Sequence, residues 1–483
     1  MRGVMIQGTS SDVGKSMICT AFCRILSDQG YSVAPFKSQN MSNNSYVTVL
    51  GEEIGRSQGI QAEAARTVAK VEMNPILLKP ENDMKSQVVL FGKKLKAMDG
   101  MKYRDEFYGQ GLAAIEKALA ELEKNYSHLV IEGAGSPAEV NLNDRDLVNM
   151  KVAELADVPV ILVADIERGG VFASIIGTLA LVPNPERIKG ILINKFRGDI
   201  DLFENGIEFL ENYTGLPVLG VIPYLSKHEI GQEDSLGIRE LAKIKNDAPI
   251  RIVVCKHPYL SNFTDIEPFL LEPDVSIIWA DSIEDIGVPD ILILPGTKST
   301  IADLRFWKQQ GLQEKLESLK GNIWIVGLCG GFQMLAETLA DPSGYDGTIA
   351  EEESGFGLIA GMRIEFAEEK WVERRTGKTV LTGRKTAVTG YEIHSARVQS
   401  SQWPLIEYPD GNEGYLHNRI LGTHLHGLFD SAEFRSAFLE PIRIAKGLPI
   451  PDSVIEYDRF DRWAQHVKKH IDWQKVEQLL GES

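Results

Sequence analysis

The sequence predicts an α/β protein of two doubly wound domains, each built on a largely parallel sheet. Three observations carry that prediction. Short apolar runs ending in Gly, Asp or Glu alternate with longer helical patterns, a polar stretch interrupts the alternation, and a second series of apolar runs follows it. With 483 residues the chain has a length prior of about three domains, which large α/β units reduce to two.

The first series comprises Gly3 to Gln7, Ser32 to Phe36, His128 to Glu132, Val158 to Asp165 and Lys189 to Asn194. After the first run, Met17, Ile18, Ala21, Phe22, Ile25 and Leu26 share one face of a helix that closes at Gly30. Ser226 to Ala248 is polar and reads as a linker. The second series runs Ile250 to Cys255, Val275 to Ala280, Asp290 to Leu294 and Ile323 to Leu328. In the tail, Trp463, Val467, Ile471, Val476 and Leu480 have helical spacing, and the expectation is a helix docked on the second domain. The expected organisation is therefore a first domain over 1–228, a linker over 229–249, a second domain over 250–447 and a helical tail over 448–483.

Composition narrows the function. Hydrophobic residues at 43% and charged residues at 25% suit a protein with substantial cores, which excludes disorder along the whole chain. Lys and Arg total 51 against 68 Asp and Glu, a net charge of −17 that would repel a phosphate backbone, so no nucleic-acid partner is expected. ATP is not excluded, because a few local amides, one Lys and a metal ion outweigh distant surface charge. Cys19, Cys23, Cys255 and Cys329 are too scattered for a disulfide framework or a four-ligand zinc site. No run approaches the roughly 18 apolar residues of a membrane span, and none at the N-terminus suits a signal peptide. A cytoplasmic protein with no membrane partner is the expectation.

Two motifs carry chemistry. Gly8-Thr9-Ser10-Ser11-Asp12-Val13-Gly14-Lys15-Ser16 lies between the first strand and the first helix, where backbone N–H groups can surround phosphate oxygens. Gly8, Thr9, Asp12 and Gly14 shape the loop, Lys15 would neutralise terminal phosphate charge, and the Ser16 hydroxyl would ligate Mg²⁺. Five residues separate the two glycines, against four in the ordinary loop, so this is a variant.

The second motif is Gly327-Leu328-Cys329-Gly330-Gly331, between an apolar strand and the helical stretch Phe332 to Leu339. It is a nucleophile elbow carrying sulfur. The following helix would favour the Cys329 thiolate, the Gly330 N–H would hold an oxyanion, and Gly296 in Leu294-Pro295-Gly296-Thr297 would donate a second hydrogen bond. Cys19 and Cys23, one helical turn apart, read as packing. Two histidines, His424 and His426, could serve as proton carrier; a strand would send both to one face, and spacing alone does not choose. Glu392 and His394 in Gly390-Tyr391-Glu392-Ile393-His394 read equally as packing or as substrate contacts.

The five-residue spacing of the loop resembles dethiobiotin synthetase, which implies activation of a carboxylate by ATP. That resemblance makes Lys37 a second phosphate ligand, Glu132 a Mg²⁺ carboxylate and Asn194 a reader of adenine, and leaves the role of Asp165 open. The elbow and distant histidines resemble the class I glutamine amidotransferases, and alignment on Gly422 selects His426. The Glu that usually follows two residues later is replaced by Leu428, so the residue orienting the imidazole is unassigned.

Fused, the halves suggest amide formation: ammonia released from glutamine through a Cys329 thioester attacks an acyl phosphate made with ATP. Met5 to Ser16, Ala34 to Asn44 and Asn194-Lys195-Phe196-Arg197-Gly198-Asp199 look like the cobyric acid synthase family. The resemblance implies amidation of carboxylates b, d, e and g of the corrinoid adenosylcobyrinic acid a,c-diamide. The alternatives are the sister cobyrinic acid a,c-diamide synthases, against which Pro35 to Asn44 argues, and a regulatory P-loop ATPase with a non-catalytic amidotransferase domain.

Overall fold

The computed structural model describes residues 1–80, 85–99, 106–225, 248–347, 349–381, 383–399, 403–451 and 459–481. They fall into two compact units, one of residues 1–225 and 459–481, the other of residues 248–451. All but the last two positions of the expected linker, 229–249, lie outside the described residues.

In the first unit the opening run is β1 (Arg2–Gly8), followed by α1 (Lys15–Asp28). α1 stops where Gly30, at φ 88°, turns its N–H back to the Ser27 carbonyl at 3.0 Å. Next come β2 (Val33–Phe36), three short strands β3 (Gln39–Met41), β4 (Ser45–Val47) and β5 (Glu53–Gly55), and α2 (Arg56–Ala64). β6 (Ile76–Pro80), β7 (Lys85–Leu90) and β8 (Lys93–Asp99) join β3 in a small side sheet. The main pattern resumes with α3 (Tyr108–Asn125), β9 (His128–Glu132), α4 (Met150–Leu155), β10 (Val160–Asp165), α5 (Val171–Leu181), β11 (Ile188–Phe196), α6 (Glu204–Thr214) and β12 (Val218–Pro223).

The main sheet has the order β12-β11-β10-β1-β9-β2, and every neighbouring pair is parallel. A parallel sheet covered on both faces needs near-continuous apolar strands, which Val160 to Ala164 and Ile191 to Ile193 provide. β1 has β9 on one side and β10 on the other, so the winding reverses there and a crevice opens beyond its C-terminal end. The phosphate loop, Lys37, Glu132, Asp165 and Asn194 all lie at the carboxyl ends of these strands.

The second unit begins with β13 (Ile250–Cys255), a 3₁₀ helix over Phe263–Leu271, β14 (Val275–Ala280), α7 (Ile283–Ile286) and β15 (Ile291–Leu294). α8 (Thr300–Gln309), α9 (Leu312–Leu319), β16 (Trp324–Leu328) and α10 (Gly330–Met334) follow. α10 is shorter than the expected stretch to Leu339. The Met334, Leu335 and Ala336 carbonyls accept from Phe356, Ile359 and Gly357, and that loop takes the place of a further helical turn. Leu339 instead lies in β17 (Thr338–Asp341).

β18 (Glu351–Ser354) precedes a long ribbon, β19 (Arg363–Leu381) and β20 (Arg384–Gln399), which the sequence reading did not anticipate. β21 (Ile406–Tyr408), β22 (Gly411–Glu413), β23 (Tyr415–His417), β24 (Ile420–Thr423), β25 (Leu425–His426) and α11 (Ala432–Lys446) complete the unit. One sheet has the order β14-β13-β15-β16-β24-β23, parallel except at β23; a second contains β18-β17-β19-β20-β25. β24 pairs with β16 whereas β25 pairs with β20, so the chain changes sheets at His424.

The tail forms two helices, α12 (Arg459–Lys469) and α13 (Trp473–Leu479), with Asp472 capping the second by accepting from the Lys475 N–H. They pack on the first unit, which corrects the expectation that they dock on the second. Trp463, Val467, Ile471, Trp473 and Val476 share a core with Val13, Ile18 and Phe22. The Trp463 indole donates to the Met17 carbonyl at 2.7 Å, and buried Arg24 donates to Asp461 at 2.7 Å. Periodicity shows that a helix has an apolar face, not which surface that face covers. No helix among the described residues is long and apolar enough to cross a membrane.

Trp463→Ala removes a buried ring that packs against α1, the helix that carries Lys15. It is expected to cost about 3–5 kcal/mol in the first unit and to leave the second unit's transition in place. Calorimetry and chemical denaturation would read this; a loss confined to the second transition would contradict it.

Candidate active site

The phosphate loop is shaped by its backbone. Asp12 and Gly14 have positive φ, 61° and 102°, and a Cβ on Gly14 would meet Asn194 Nδ2 at 2.2 Å. The Thr9 N–H donates to the Val163 carbonyl at 2.9 Å, tying the loop to β10. Gly8 is also confined, since a Cβ there would meet Val13 Cγ2 at 2.5 Å and the Ser10 carbonyl oxygen at 2.9 Å. Lys15 Nζ donates to the Ser10 and Gly135 carbonyls at 2.9 and 3.1 Å, so the ammonium sits between the loop and the segment after β9. Asn194 donates to the Val13 carbonyl at 2.8 Å and Lys195 to the Asp12 carbonyl at 2.7 Å. The Asn194 amide expected to read adenine thus has a donor committed to bracing the loop. Asp165 accepts Lys195 at 3.2 Å and has Arg168 at 4.0 Å, an ion cluster at the end of β10.

Glu132 is the centre of this half. Its Oε1 accepts from Ser16 Oγ at 2.8 Å and Lys37 Nζ at 2.7 Å; its Oε2 accepts from Gln61 Nε2 at 2.6 Å, with Gln58 Nε2 at 3.5 Å. Burial alone would raise the Glu132 pKa, but Lys37, Gln61 and Ser16 outweigh it and hold the carboxyl below its ordinary value. The charge is kept because it is paired and hydrogen-bonded. Gln58 and Gln61 did not emerge from the sequence; a helix whose buried face carries glutamines was the available signal.

These side chains fit a hard cation. Ser16 Oγ and Glu132 are oxygen donors 2.8 Å apart, and Gln61 Oε1 is buried with no hydrogen-bond partner among the described residues. No group of three or more His, Cys, Asp or Glu suited to a metal occurs among the described residues. A cation here would therefore also need nucleotide oxygens and water.

In the second unit Cys329 follows β16 with φ 50° and ψ −111°, a conformation that costs a non-glycine residue about 1–3 kcal/mol. The glycine after next is enforced by close approach: a Cβ on Gly331 would lie 1.9 Å from the Leu294 carbonyl oxygen. The Cys329 N–H donates to the Thr423 carbonyl at 2.8 Å, and its Sγ lies 3.8 Å from the Ile393 carbonyl. α10 has only five residues, so little macrodipole stands behind the sulfur. The charged partner is instead an imidazole, for the Cys329 sulfur is one of the groups that push the His426 pKa up.

His426 is buried and oriented by a residue absent from the sequence reading. Its Nδ1 lies 2.7 Å from Asp265 Oδ2, while Asp265 Oδ1 accepts from the Gly427 N–H at 2.8 Å. Asp265 comes from the 3₁₀ helix after β13 and occupies the role left vacant by Leu428. Asn262 Nδ2 lies 3.1 Å from His426 Nε2, and the Tyr391 ring stacks at 5.1 Å. Burial alone would lower the His426 pKa, but Asp265 and the Cys329 sulfur reverse this and raise it to about 10.

His424 does not share that face, because the chain changes sheets there. Its ring contacts Gln333 at 3.1 Å, Glu413 at 3.4 Å and the His394 ring at 4.1 Å, and burial keeps its pKa well below the ordinary value. Glu392 accepts Tyr408 OH at 2.8 Å and faces His394 at 3.4 Å, so both belong to a buried polar cluster. Gly296 lies close to the imidazole, the added Cβ there being 3.6 Å from His426 Cε1, and Gly330, the residue after Cys329, lies against the same turn, its added Cβ 3.1 Å from the Thr297 nitrogen. The 295–296 turn is fixed from below, since the Pro295 carbonyl accepts from the Gly331 N–H at 3.1 Å and from His257 Nε2 at 3.2 Å. Burial drives the His257 pKa down to about 3, so it is a neutral brace.

Comparison with known proteins agrees with this division. Residues 4–236 match the CobQ/CobB/MinD/ParA nucleotide binding domain, and residues 251–434 match the CobB/CobQ-like glutamine amidotransferase domain. Relatives named cobyric acid synthase match along the whole chain. That of Geobacillus sp. (strain WCH70) is 48% identical over 499 residues, covering 99% of this chain and 97% of the relative. That of Desulforamulus reducens is 45% identical, covering 99% and 98%, and that of Streptococcus sanguinis is 41% identical, covering 100% and 99%. With a phosphate loop in one unit and a thiol–imidazole–carboxylate relay in the other, and relatives alike over their full length, this chain belongs to the cobyric acid synthase family.

Proposed function

We propose that the chain uses ATP and the side-chain nitrogen of glutamine to amidate carboxylates b, d, e and g of adenosylcobyrinic acid a,c-diamide, giving adenosylcobyric acid. The corrinoid substrate is supported by family membership, and the glutamine half is carried by one observation, the buried Asp265–His426–Cys329 relay. None of the four cysteines forms a disulfide, which supports a cytoplasmic setting.

In the second unit His426 holds its proton beside the Cys329 sulfur, with Nδ1 against Asp265, so that cysteine reacts as the thiolate of a thiolate–imidazolium pair. The thiolate attacks the glutamine side-chain carbonyl, and the Gly296 and Gly330 N–H groups receive the oxyanion. His426 gives its proton to the leaving nitrogen, releasing ammonia, and water then opens the thioester to give glutamate. In the first unit Lys15 and Lys37 neutralise phosphate charge while the loop amides of Gly8, Asp12 and Gly14 orient it, so that a corrinoid carboxylate takes the terminal phosphoryl group; the Thr9 N–H, expected among these amides, is committed to Val163 and anchors the loop instead. Ammonia displaces phosphate from that acyl phosphate. Bound through Ser16 and Glu132, Mg²⁺ would supply further charge neutralisation on the β- and γ-phosphates. Asn194 braces the loop through Val13 and leaves its amide oxygen for the base.

Incubation with the a,c-diamide, ATP and isotope-labelled glutamine should place labelled nitrogen at b, d, e and g, read by mass. Amidation of cobyrinic acid with none of the a,c-diamide would overturn the substrate assignment. Cys329→Ser should abolish glutamine hydrolysis, whereas an unchanged background would leave the second unit a binding module.

Asp265→Asn keeps the shape but removes the charge behind the imidazole, and glutamine hydrolysis should fall by about 10²–10⁴-fold. It also has a pH signature. Between about pH 6.5 and about 10 the folded protein holds a His426 proton that the unfolded chain has lost, so this contribution to stability falls as pH rises through that window. Asp265→Asn should flatten that slope in denaturation experiments; an unchanged slope would remove Asp265 from the relay. Lys15→Ala should abolish amidation while glutamine hydrolysis persists, because the two reactions use different units. Loss of both in a protein with a normal circular dichroism spectrum would contradict that independence.

A further inference from the structure

α2 is an unusual helix. Its sequence, Arg-Ser-Gln-Gly-Ile-Gln-Ala-Glu-Ala, contains few large apolar residues, yet every residue except Glu63 is buried. Burying polar side chains is costly unless they find partners, so a buried polar helix calls for a reason at its interior face. That face carries Gln58 and Gln61, three positions apart and adjacent on a helix surface. Both amides converge on one atom, Glu132 Oε2, with Gln61 Nε2 at 2.6 Å and Gln58 Nε2 at 3.5 Å.

The division of labour around Glu132 is asymmetric. Oε1 faces Ser16 and Lys37, the residues assigned to metal and phosphate, whereas Oε2 faces only the amides of α2 among its described hydrogen-bond partners. Gln61 Nε2 also lies 3.4 Å from the Ser16 carbonyl, so one side chain spans both proposed ligand residues. Gln58 is itself held, its Oε1 accepting from Asn40 Nδ2 at 3.3 Å. Gln61 Oε1 is different: it is fully buried, has no hydrogen-bond partner among the described residues, and belongs to an amide anchored at this centre. A buried acceptor left unsatisfied costs about 1–3 kcal/mol unless a donor arrives. A water coordinated to a divalent cation is such a donor.

We infer that Gln61 is the positioning residue of the cation site: its amide N–H fixes the Glu132 carboxylate so that Oε1 is presented to a divalent cation, and its Oε1 accepts from a water on that cation. The inference rests on the reading of Ser16 and Glu132 as cation ligands. It assigns α2 a function beyond packing, because an outer hydrogen bond to a ligating carboxylate sets both its orientation and its basicity.

The test uses the full-length protein, a non-hydrolysable ATP analogue and Mn²⁺, with free Mn²⁺ read by electron paramagnetic resonance. Nucleotide affinity in chelator is read separately by calorimetry. Gln61→Met keeps the volume and removes both polar atoms. It should weaken Mn²⁺ binding by about 10–100-fold and leave metal-free nucleotide affinity unchanged. Gln61→Asn, which falls one methylene short of Glu132, should act in the same direction and serves if the Met variant does not fold. An equal loss of metal and metal-free nucleotide affinity would make Gln61 merely structural and overturn the inference. Glu132→Gln separates it from the reading beneath. If that variant loses Mn²⁺ while both folded Gln61 variants retain it, only the inference fails; if Glu132→Gln retains Mn²⁺, the cation reading fails and the inference with it.

Discussion

Strands of a parallel sheet all end at the same edge, and each reactive centre of this protein depends on that constraint. In the first unit the ends of β1, β2, β9, β10 and β11 bring together the phosphate loop, Lys37, Glu132, Asp165 and Asn194. In the second, the ends of β16 and β24 place Cys329 beside Thr423, and the step from β24 into β25 delivers His426. Residues far apart in the chain can therefore meet without long excursions, and in the first unit the crevice lies where the winding direction changes. The helices pack the faces of the sheets, and the edge is left for chemistry.

The same edges bury charge, and the two units handle it differently. Glu132 is surrounded by one ammonium, a hydroxyl and two amides, so a single cation, Lys37, leads in stabilising its negative charge and neutral donors supply the rest. Such a shell leaves the carboxylate available to a further cation. Asp265 faces an imidazole whose own charge can come and go. Its remaining oxygen is occupied by the Gly427 N–H, which fixes the carboxylate plane and hence which imidazole nitrogen faces the sulfur. Broken on one side, either arrangement would leave a buried charge uncompensated, which is far more costly than the pair is stabilising.

What could be read from the sequence was local. The phosphate loop and the elbow are contiguous motifs whose strand–turn–helix context is visible in a dozen residues, and most apolar runs became strands within two or three positions of their expected ends. Asp265 was not legible, because a carboxylate on an irregular 3₁₀ turn acquires its role only when β13, β24 and β25 are assembled. The two histidines could not be separated by spacing for a related reason: alternation holds within one strand, and the chain changes sheets between them. The β19–β20 ribbon lacks the compact apolar signature of a buried strand, since much of it is exposed and charged. The tail announced its apolar face but not its partner, which was the outer surface of α1.

That partner matters for how the first unit works. α1 carries Lys15 and Ser16 at its start, and the Met17 carbonyl one residue later accepts the Trp463 indole. The last stretch of the chain thus closes over the helix that presents the phosphate ligands, and Arg24 near its other end is tied to Asp461. A helix with one face on a sheet and the other under a second helix layer has little freedom to tilt. The positions of its first residues are then set by packing rather than by the loop alone. Precision at a phosphate site is commonly credited to the glycine-rich loop, yet a loop made permissive by glycine cannot hold itself still. Here rigidity comes from residues more than four hundred positions away in the sequence, and the loop supplies the amides.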